Sequence, residues 1–233
     1  YPMQPVRAVL FDLHTTLVDG GDPHAWLSAA MARTGQAPEP DLNAAVALLD
    51  TIWEHAARID PQADRDLSPA AHAAVFTELL STADPETGVV FPAALIAELY
   101  RTMLTQWTPY RDTVPMLAAL REAGIATALI SNVGLDVTGL LATTGLIDYL
   151  DVVVLSYQEG TVKPDPAIFM AALDRLGVPA AEALMVGDSA VADSGAVAAG
   201  VRTLLLPRTW SQVRGLNAVC RIAGVPEPDL GMA

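Results

Sequence analysis

Four short polar clusters hold the residue types that could perform chemistry in this chain: Asp12-Leu13-His14-Thr15-Thr16, Ser131-Asn132, Lys163, and Asp188-Ser189 followed by Asp193. A carboxylate can act as a nucleophile and split one difficult displacement into two easier steps through a covalent intermediate. A lysine and a hydroxyl can offset charge on the oxygens of a reacting group. Carboxylates brought close to one another repel unless a cation lies between them, and their oxygens, with water and a substrate oxygen, form the donor set that Mg²⁺ prefers. Taken singly, each cluster also has a plain structural explanation. Asp12 suits a turn or cap, Ser131-Asn132 a turn, Lys163 a solvated charge, and Gly187-Asp188-Ser189 a helix start with Ser or Asp at the N-cap. The case for chemistry rests on all four being placed together.

What would place them together is a row of strand ends. Ala8-Val9-Leu10-Phe11 is an apolar run closed by Asp12, the pattern of a strand buried on both faces of a parallel sheet. From Pro23 to about Gln106 the pattern turns to alanine-rich helical periodicity. Breaks at Ala37-Pro38-Glu39-Pro40, Asp60-Pro61, Ser68-Pro69, Asp84-Pro85 and Phe91-Pro92 divide it into about four helices with no strand. Beyond Pro109 the chain alternates. A helix near Val114 to Ala123 precedes a strand Ala126 to Ile130; a helix Asp136 to Thr143 precedes a strand Val152 to Leu155. A helix Pro166 to Leu176 then leads to a strand Ala183 to Val186, and a helix near Ser189 to Ala199 to a strand Val201 to Leu206. Such alternation predicts an α/β fold with a doubly wound parallel sheet, in which ligands bind outside the carboxyl ends of the strands. The helical segment is then an insertion after the first strand, joined near Val18 to Gly21 and Trp107 to Tyr110, and closure about those joints would exclude water from the strand ends.

In order and spelling the clusters resemble the motifs of the haloacid dehalogenase (HAD) superfamily of hydrolases. Phe11-Asp12-Leu13-His14-Thr15-Thr16-Leu17 is similar to its first motif, Asp-x-Asp-x-Thr after a strand; Leu129-Ile130-Ser131-Asn132 is similar to its second. Val162-Lys163-Pro164-Asp165-Pro166 resembles the third, and Val186-Gly187-Asp188-Ser189 with Asp193 the fourth. The resemblance implies a Rossmann-like core over residues 3–18 and 109–222, an inserted all-helical C1 cap over 19–108, and a loosely ordered tail over 223–233. It further implies a Mg²⁺-dependent phosphatase in which Asp12 forms an aspartyl phosphate. Lys163 and the Ser131 hydroxyl, with the Asn132 backbone amide, would bind the phosphoryl oxygens. The metal set would be Asp12, His14 through its carbonyl, and Asp188, with Asp193 beside them orienting waters or Lys163. Thr16 and Ser189 would support the site structurally.

The chain departs from the motif at His14. The family's phosphatases usually carry there an aspartate that protonates the leaving oxygen and then activates water. An imidazole can do this work near neutral pH, its unperturbed pKa being ~6.5. Alternatively, His14 marks a different reaction. One such reaction is 2-haloacid dehalogenation, in which the same aspartate displaces halide without metal; Asp188 argues against it, because that branch typically lacks the metal-binding aspartate. The other alternative is a catalytically weak binding or regulatory protein, against which the intact Asp12, Ser131, Lys163, Asp188 and Asp193 argue. His24, His55 and His72, with Trp26, Trp53 and Trp107, fall in the helical segment and read as surface or core residues of that segment.

Composition narrows the partners. The chain of 233 residues is 52% hydrophobic and 17% charged, enough for a substantial core and at most two modules. A formal net charge of -14 repels polyanions and argues against nucleic acid as a partner, whereas a metal ion and one lysine can still reverse the field for a small phosphorylated substrate. Cys220 is the only cysteine, so no intramolecular disulfide or multi-cysteine metal site exists and a reducing compartment fits. No uninterrupted apolar run reaches the ~18 residues of a membrane span, which predicts a cytoplasmic protein with no membrane partner; monomer and homodimer both stay open. Tyr1 and Pro2, ahead of Met3, are left out of the fold reading.

Overall fold

Ala8-Val9-Leu10-Phe11 offers water no polar side chain, and in the computed structural model all four residues are fully buried as strand β1 (Ala8–Phe11). The structure describes residues 4–56, 58–209 and 211–230; Tyr1, Pro2 and the last three residues of the tail lie outside that range. β1 is the middle strand of a parallel sheet with β4 (Ala126–Ser131), β5 (Val152–Leu155), β6 (Ala183–Gly187) and β7 (Arg202–Leu205), in the order β5-β4-β1-β6-β7. Phe11 lies level with Leu129 of β4 on one side and Val186 of β6 on the other. Asp12 then comes level with Ile130 and Gly187, one residue before Ser131 and Asp188, so the three emerge along the same edge of the sheet. A two-stranded antiparallel ladder, β2 (Val18–Asp19) with β3 (Thr108–Pro109), ties together the two joints of the inserted segment, where the sequence pattern showed only linkers.

The chain folds as two compact units, one comprising residues 1–19, 108–133 and 137–233, the other residues 20–107 and 134–136. Among the described residues the second unit contains five α-helices: α1 (Pro23–Thr34), α2 (Leu42–Asp50), α3 (Ile52–Ala56), α4 (Pro69–Ser81) and α5 (Ala93–Thr102). Three of their starts follow from side chains that satisfy otherwise orphaned amides. Asp22 accepts from the His24 and Ala25 amides, Asp41 from Asn43 and Ala44, and Ser68 from Ala71, with Pro23 and Pro69 in the first turns where no amide is needed. Trp26, Leu27, Leu48, Leu49, Phe76 and Leu95 anchor its core. Leu135 packs against that core as well. A Cβ on Gly134 would lie 2.0 Å from the Arg65 carbonyl oxygen and 2.9 Å from that of Ser68, so only glycine admits this approach. That engagement explains why the helix expected from Asp136 starts at Thr138.

The sheet unit adds α6 (Thr113–Glu122), α7 (Thr138–Thr143), α8 (Ser156–Glu159), α9 (Pro166–Leu176) and α10 (Asn217–Ala223). Ile168, Phe169, Ala172 and Leu173 of α9 pack on Ala8, Leu10, Ala128, Ile130 and Met185, one face of the sheet, and each such fully buried large side chain contributes roughly 1.5–3 kcal/mol. Cys220 is buried on α10, and burial pushes its thiol up. The helix expected near Ser189 to Ala199 is instead a 3₁₀ helix, Asp193–Ala199, because Asp193 turns its side chain back onto the preceding loop. Among the described residues no helix is long and apolar enough to cross a membrane.

Candidate active site

Asp12 leaves β1 with its amide still bonded to the Val186 carbonyl at 2.9 Å, so the sheet fixes the backbone from which its carboxylate projects. Lys163, only 4% exposed, places Nζ 2.7 Å from Asp12 Oδ1 and 2.7 Å from Asp193 Oδ1. Burial by itself would strip the proton from this ammonium. The carboxylates of Asp12 and Asp193 outweigh burial and raise the lysine pKa, so it remains a cation at the bottom of the site. Asp193 is fully buried, and its second oxygen accepts the amides of Asp188 at 3.0 Å and Ser189 at 2.9 Å. A Cβ on Gly187 would fall 2.1 Å from that oxygen, so the close approach requires glycine. Ser189 caps the same turn by accepting the Ala192 amide at 3.0 Å.

Asn132 clamps the main chain of Lys163 at two points: its Oδ1 accepts the Lys163 amide at 2.7 Å and its Nδ2 donates to the Lys163 carbonyl at 2.9 Å. Its side chain therefore orients the lysine, and only its backbone is left for the substrate role expected of it. One residue on, Ser156 Oγ accepts the Val133 amide at 2.9 Å and fixes the loop that follows the buried Ser131. The turn after Asp12 is closed by the Leu13 carbonyl, which accepts the amides of Thr16, Leu17 and Val18. Thr16 is fully buried, yet its Oγ1 has no hydrogen-bond partner among the described residues, so the turn is held by main chain and not by this hydroxyl.

His14 is partly buried on this turn. Burial first, then Arg208, push its imidazole down to about 4, against an opposing pull from Asp19. That shift is away from titration near neutrality and favours the neutral ring at pH 7.

Three further residues of the site carried no clear mark in the sequence. Thr15 places Oγ1 2.5 Å from Asp188 Oδ2. Arg214, buried, donates Nε to the Thr15 carbonyl at 2.6 Å, and Asp112, fully buried, accepts the amides of Arg214, Gly215 and Leu216. Arg214 lies in no recognisable motif. The one available signal at Thr15 was a second hydroxyl beside His14.

Asp12, Asp188 and Asp193 each offer a carboxylate oxygen, all within 4.8 Å of one another. Three carboxylates face one ammonium, and this surplus of hard, negatively charged oxygen fits a hard divalent cation. Since Asp193 already serves Lys163 and two amides, Asp12, Asp188 and the His14 carbonyl are the donors that would hold it.

Residues 6–200 match the family described as haloacid dehalogenase-like hydrolase, and the chain belongs to that family. It is a hydrolase. Over 128 residues it is 37% identical to the glyceraldehyde 3-phosphate phosphatase of Methanopyrus kandleri, an alignment covering 54% of this chain and 54% of the relative, so the chain spans about half the length of that protein. It is 27% identical over 212 residues to (S)-2-haloacid dehalogenase 1 of Pseudomonas sp., covering 88% of this chain and 86% of that one. The fold matches the Bacillus subtilis HAD-hydrolase YfnB bound to magnesium with a TM-score of 0.70 at 21% identity, covering 94% and 99% of the two chains.

Proposed function

We propose that this hydrolase is a Mg²⁺-dependent phosphatase of a small phosphorylated metabolite, with Asp12 as the nucleophile. The observation that supports it most is the buried ammonium of Lys163 shared between Asp12 and Asp193, with the Asp188 carboxylate alongside. In the first step an Asp12 oxygen attacks phosphorus, the bond from phosphorus to the ester oxygen breaks, and that oxygen takes a proton from solvent water. Water then attacks phosphorus, the bond to Asp12 breaks, and inorganic phosphate departs. Lys163 orients the Asp12 carboxylate and, with the Ser131 hydroxyl, offsets charge on the phosphoryl oxygens. His14 stands two residues from the nucleophile, and its neutral ring would take up the proton that the attacking water gives off in the second step. Mg²⁺, held by Asp12, Asp188 and the His14 carbonyl, would supply further positive charge to the phosphoryl group.

A second reading, 2-haloacid dehalogenation, is favoured by one observation: no acid stands at position 14, and the Pseudomonas relative that covers most of the chain is a dehalogenase. There Asp12 would displace halide from carbon, and no divalent cation would be needed. Asp188 and its place in the carboxylate cluster favour the phosphatase. The test is a panel of sugar, hydroxy-acid and nucleotide phosphates together with 2-chloropropionate, run with Mg²⁺ and with EDTA. Phosphate release that EDTA abolishes supports the phosphatase; chloride release that EDTA leaves untouched overturns it.

A further inference from the structure

Thr15 has φ 61°, the left-handed region, although it is β-branched. That conformation disfavours residues with a Cβ, and costs of about 1–3 kcal/mol persist only where the surroundings over-determine them. Here they do. The Thr15 amide donates to the Val18 carbonyl at 2.8 Å, and its carbonyl accepts Arg214 Nε at 2.6 Å. Arg214 donates its other nitrogens to the carbonyls of Pro207 at 2.6 Å and Leu206 at 2.8 Å, so the clamp is tied to the loop after β7.

The result of this clamp is the place of the hydroxyl. Thr15 Oγ1 lies 2.5 Å from Asp188 Oδ2 and 2.6 Å from the His14 carbonyl oxygen, two groups of the candidate metal site. A hydroxyl has one proton to donate, and the carboxylate is the stronger acceptor. If Thr15 served only the turn, glycine would adopt φ 61° at no cost, and the strained, hydroxyl-bearing residue would have no purpose.

We propose that Thr15 is the positioning residue of Asp188: its hydroxyl, held in a left-handed turn by Arg214, fixes the Asp188 carboxylate for a divalent cation. The inference rests on the metal-dependent reading above. A hydrogen bond that orients a metal-ligating carboxylate is worth about 10- to 100-fold in metal affinity. Mn²⁺ binding, followed by the loss of the free-ion electron paramagnetic resonance signal, reads it without turnover. Thr15→Val and Thr15→Gly are expected to bind Mn²⁺ at least about tenfold more weakly than wild type, and Thr15→Ser within about threefold of it. Thr15→Gly should at the same time unfold at or above the wild-type temperature, because it relieves the left-handed strain. It therefore carries the test even if the valine variant fails to fold. Undiminished binding by the glycine or valine variant, with binding lost in Asp188→Asn, overturns the role of Thr15 and leaves the metal site standing. Binding by the serine variant as weak as by valine also overturns it. No saturable binding by wild type, or binding indifferent to Asp188→Asn, overturns the metal reading and this inference together.

Discussion

His14 in the sheet unit and His72 in the helical unit are both pushed down to about 4 by the same two causes, burial first and a nearby arginine second: Arg208 for His14, Arg65 for His72. Their settings differ. His72 lies 3.1 Å from the Tyr100 hydroxyl through Nδ1 and packs its ring 4.5 Å from that of Trp53, while Arg65 is itself paired with Asp60 and Asp66. This is a packing site made of aromatic rings, with one arginine held between two aspartates. His14 sits on the turn that carries Asp12, beside a cluster whose three carboxylates face one lysine. A depressed histidine pKa therefore marks burial near a guanidinium in both units, and what sets the His14 turn apart is the cluster of three carboxylates whose ligand oxygens lie within 4.8 Å of one another.

The strongest way to break this comparison is to remove the nucleophile. Asp12→Asn should lower phosphate release by about 10⁴-fold or more while leaving the fold intact, as read by steady-state rates and circular dichroism. Lys163→Met should cost about 3–5 kcal/mol in urea unfolding, because Asp12 and Asp193 would remain buried without their cation.

The helical unit gives the next largest effect. His72 is neutral when folded and has an ordinary pKa near 6.5 when unfolded, so the unfolded chain binds the proton first on acidification. Its contribution is intact above about pH 6.5 and is lost as pH falls toward about 4, a difference of about 3 kcal/mol over that window. In His72→Phe that part of the acid slope should vanish from urea unfolding curves, with a change of only about 1 kcal/mol at pH 7.5 from the lost Tyr100 bond. An unchanged slope would mean that His72 titrates normally. His14→Asp sharpens the contrast from the other side. Restoring a carboxyl where the leaving oxygen needs a proton should raise turnover of alkyl phosphates about tenfold or more, because a neutral imidazole has no acidic proton to give. A loss of activity would instead make His14 the working group.

Much of this was legible in the sequence where one physical rule dominates. β1, β5 and α9 appear at their expected bounds because an unbroken apolar run, or a proline start with a glycine stop, has one stable solution. Asp12, Ser131 and Asp188 could be picked out as candidates because strand ends collect ligand-binding groups, whereas Lys163 lies eight residues past the end of β5, beyond α8. What escaped depends on tertiary approach. Nothing local to Asn132 shows that its amide will clamp Lys163, or that Asp193 will fold back to make a 3₁₀ helix of the segment after it. Arg214 reaches Thr15 across 199 residues of chain, and left-handed backbone at a threonine contradicts local preference, which is why it can only be seen in the folded chain.

The central claim is that Asp12 attacks phosphorus. Wild type would be mixed with a substrate from the phosphate panel and Mg²⁺, quenched in acid within a turnover, digested, and the peptide containing Asp12 weighed by mass spectrometry, with the reaction repeated in ¹⁸O-water. The account predicts one phosphoryl group on Asp12 and ¹⁸O in the released phosphate but not in the Asp12 carboxylate. Turnover with no phosphorylated Asp12, or ¹⁸O entering the Asp12 carboxylate itself, would contradict it.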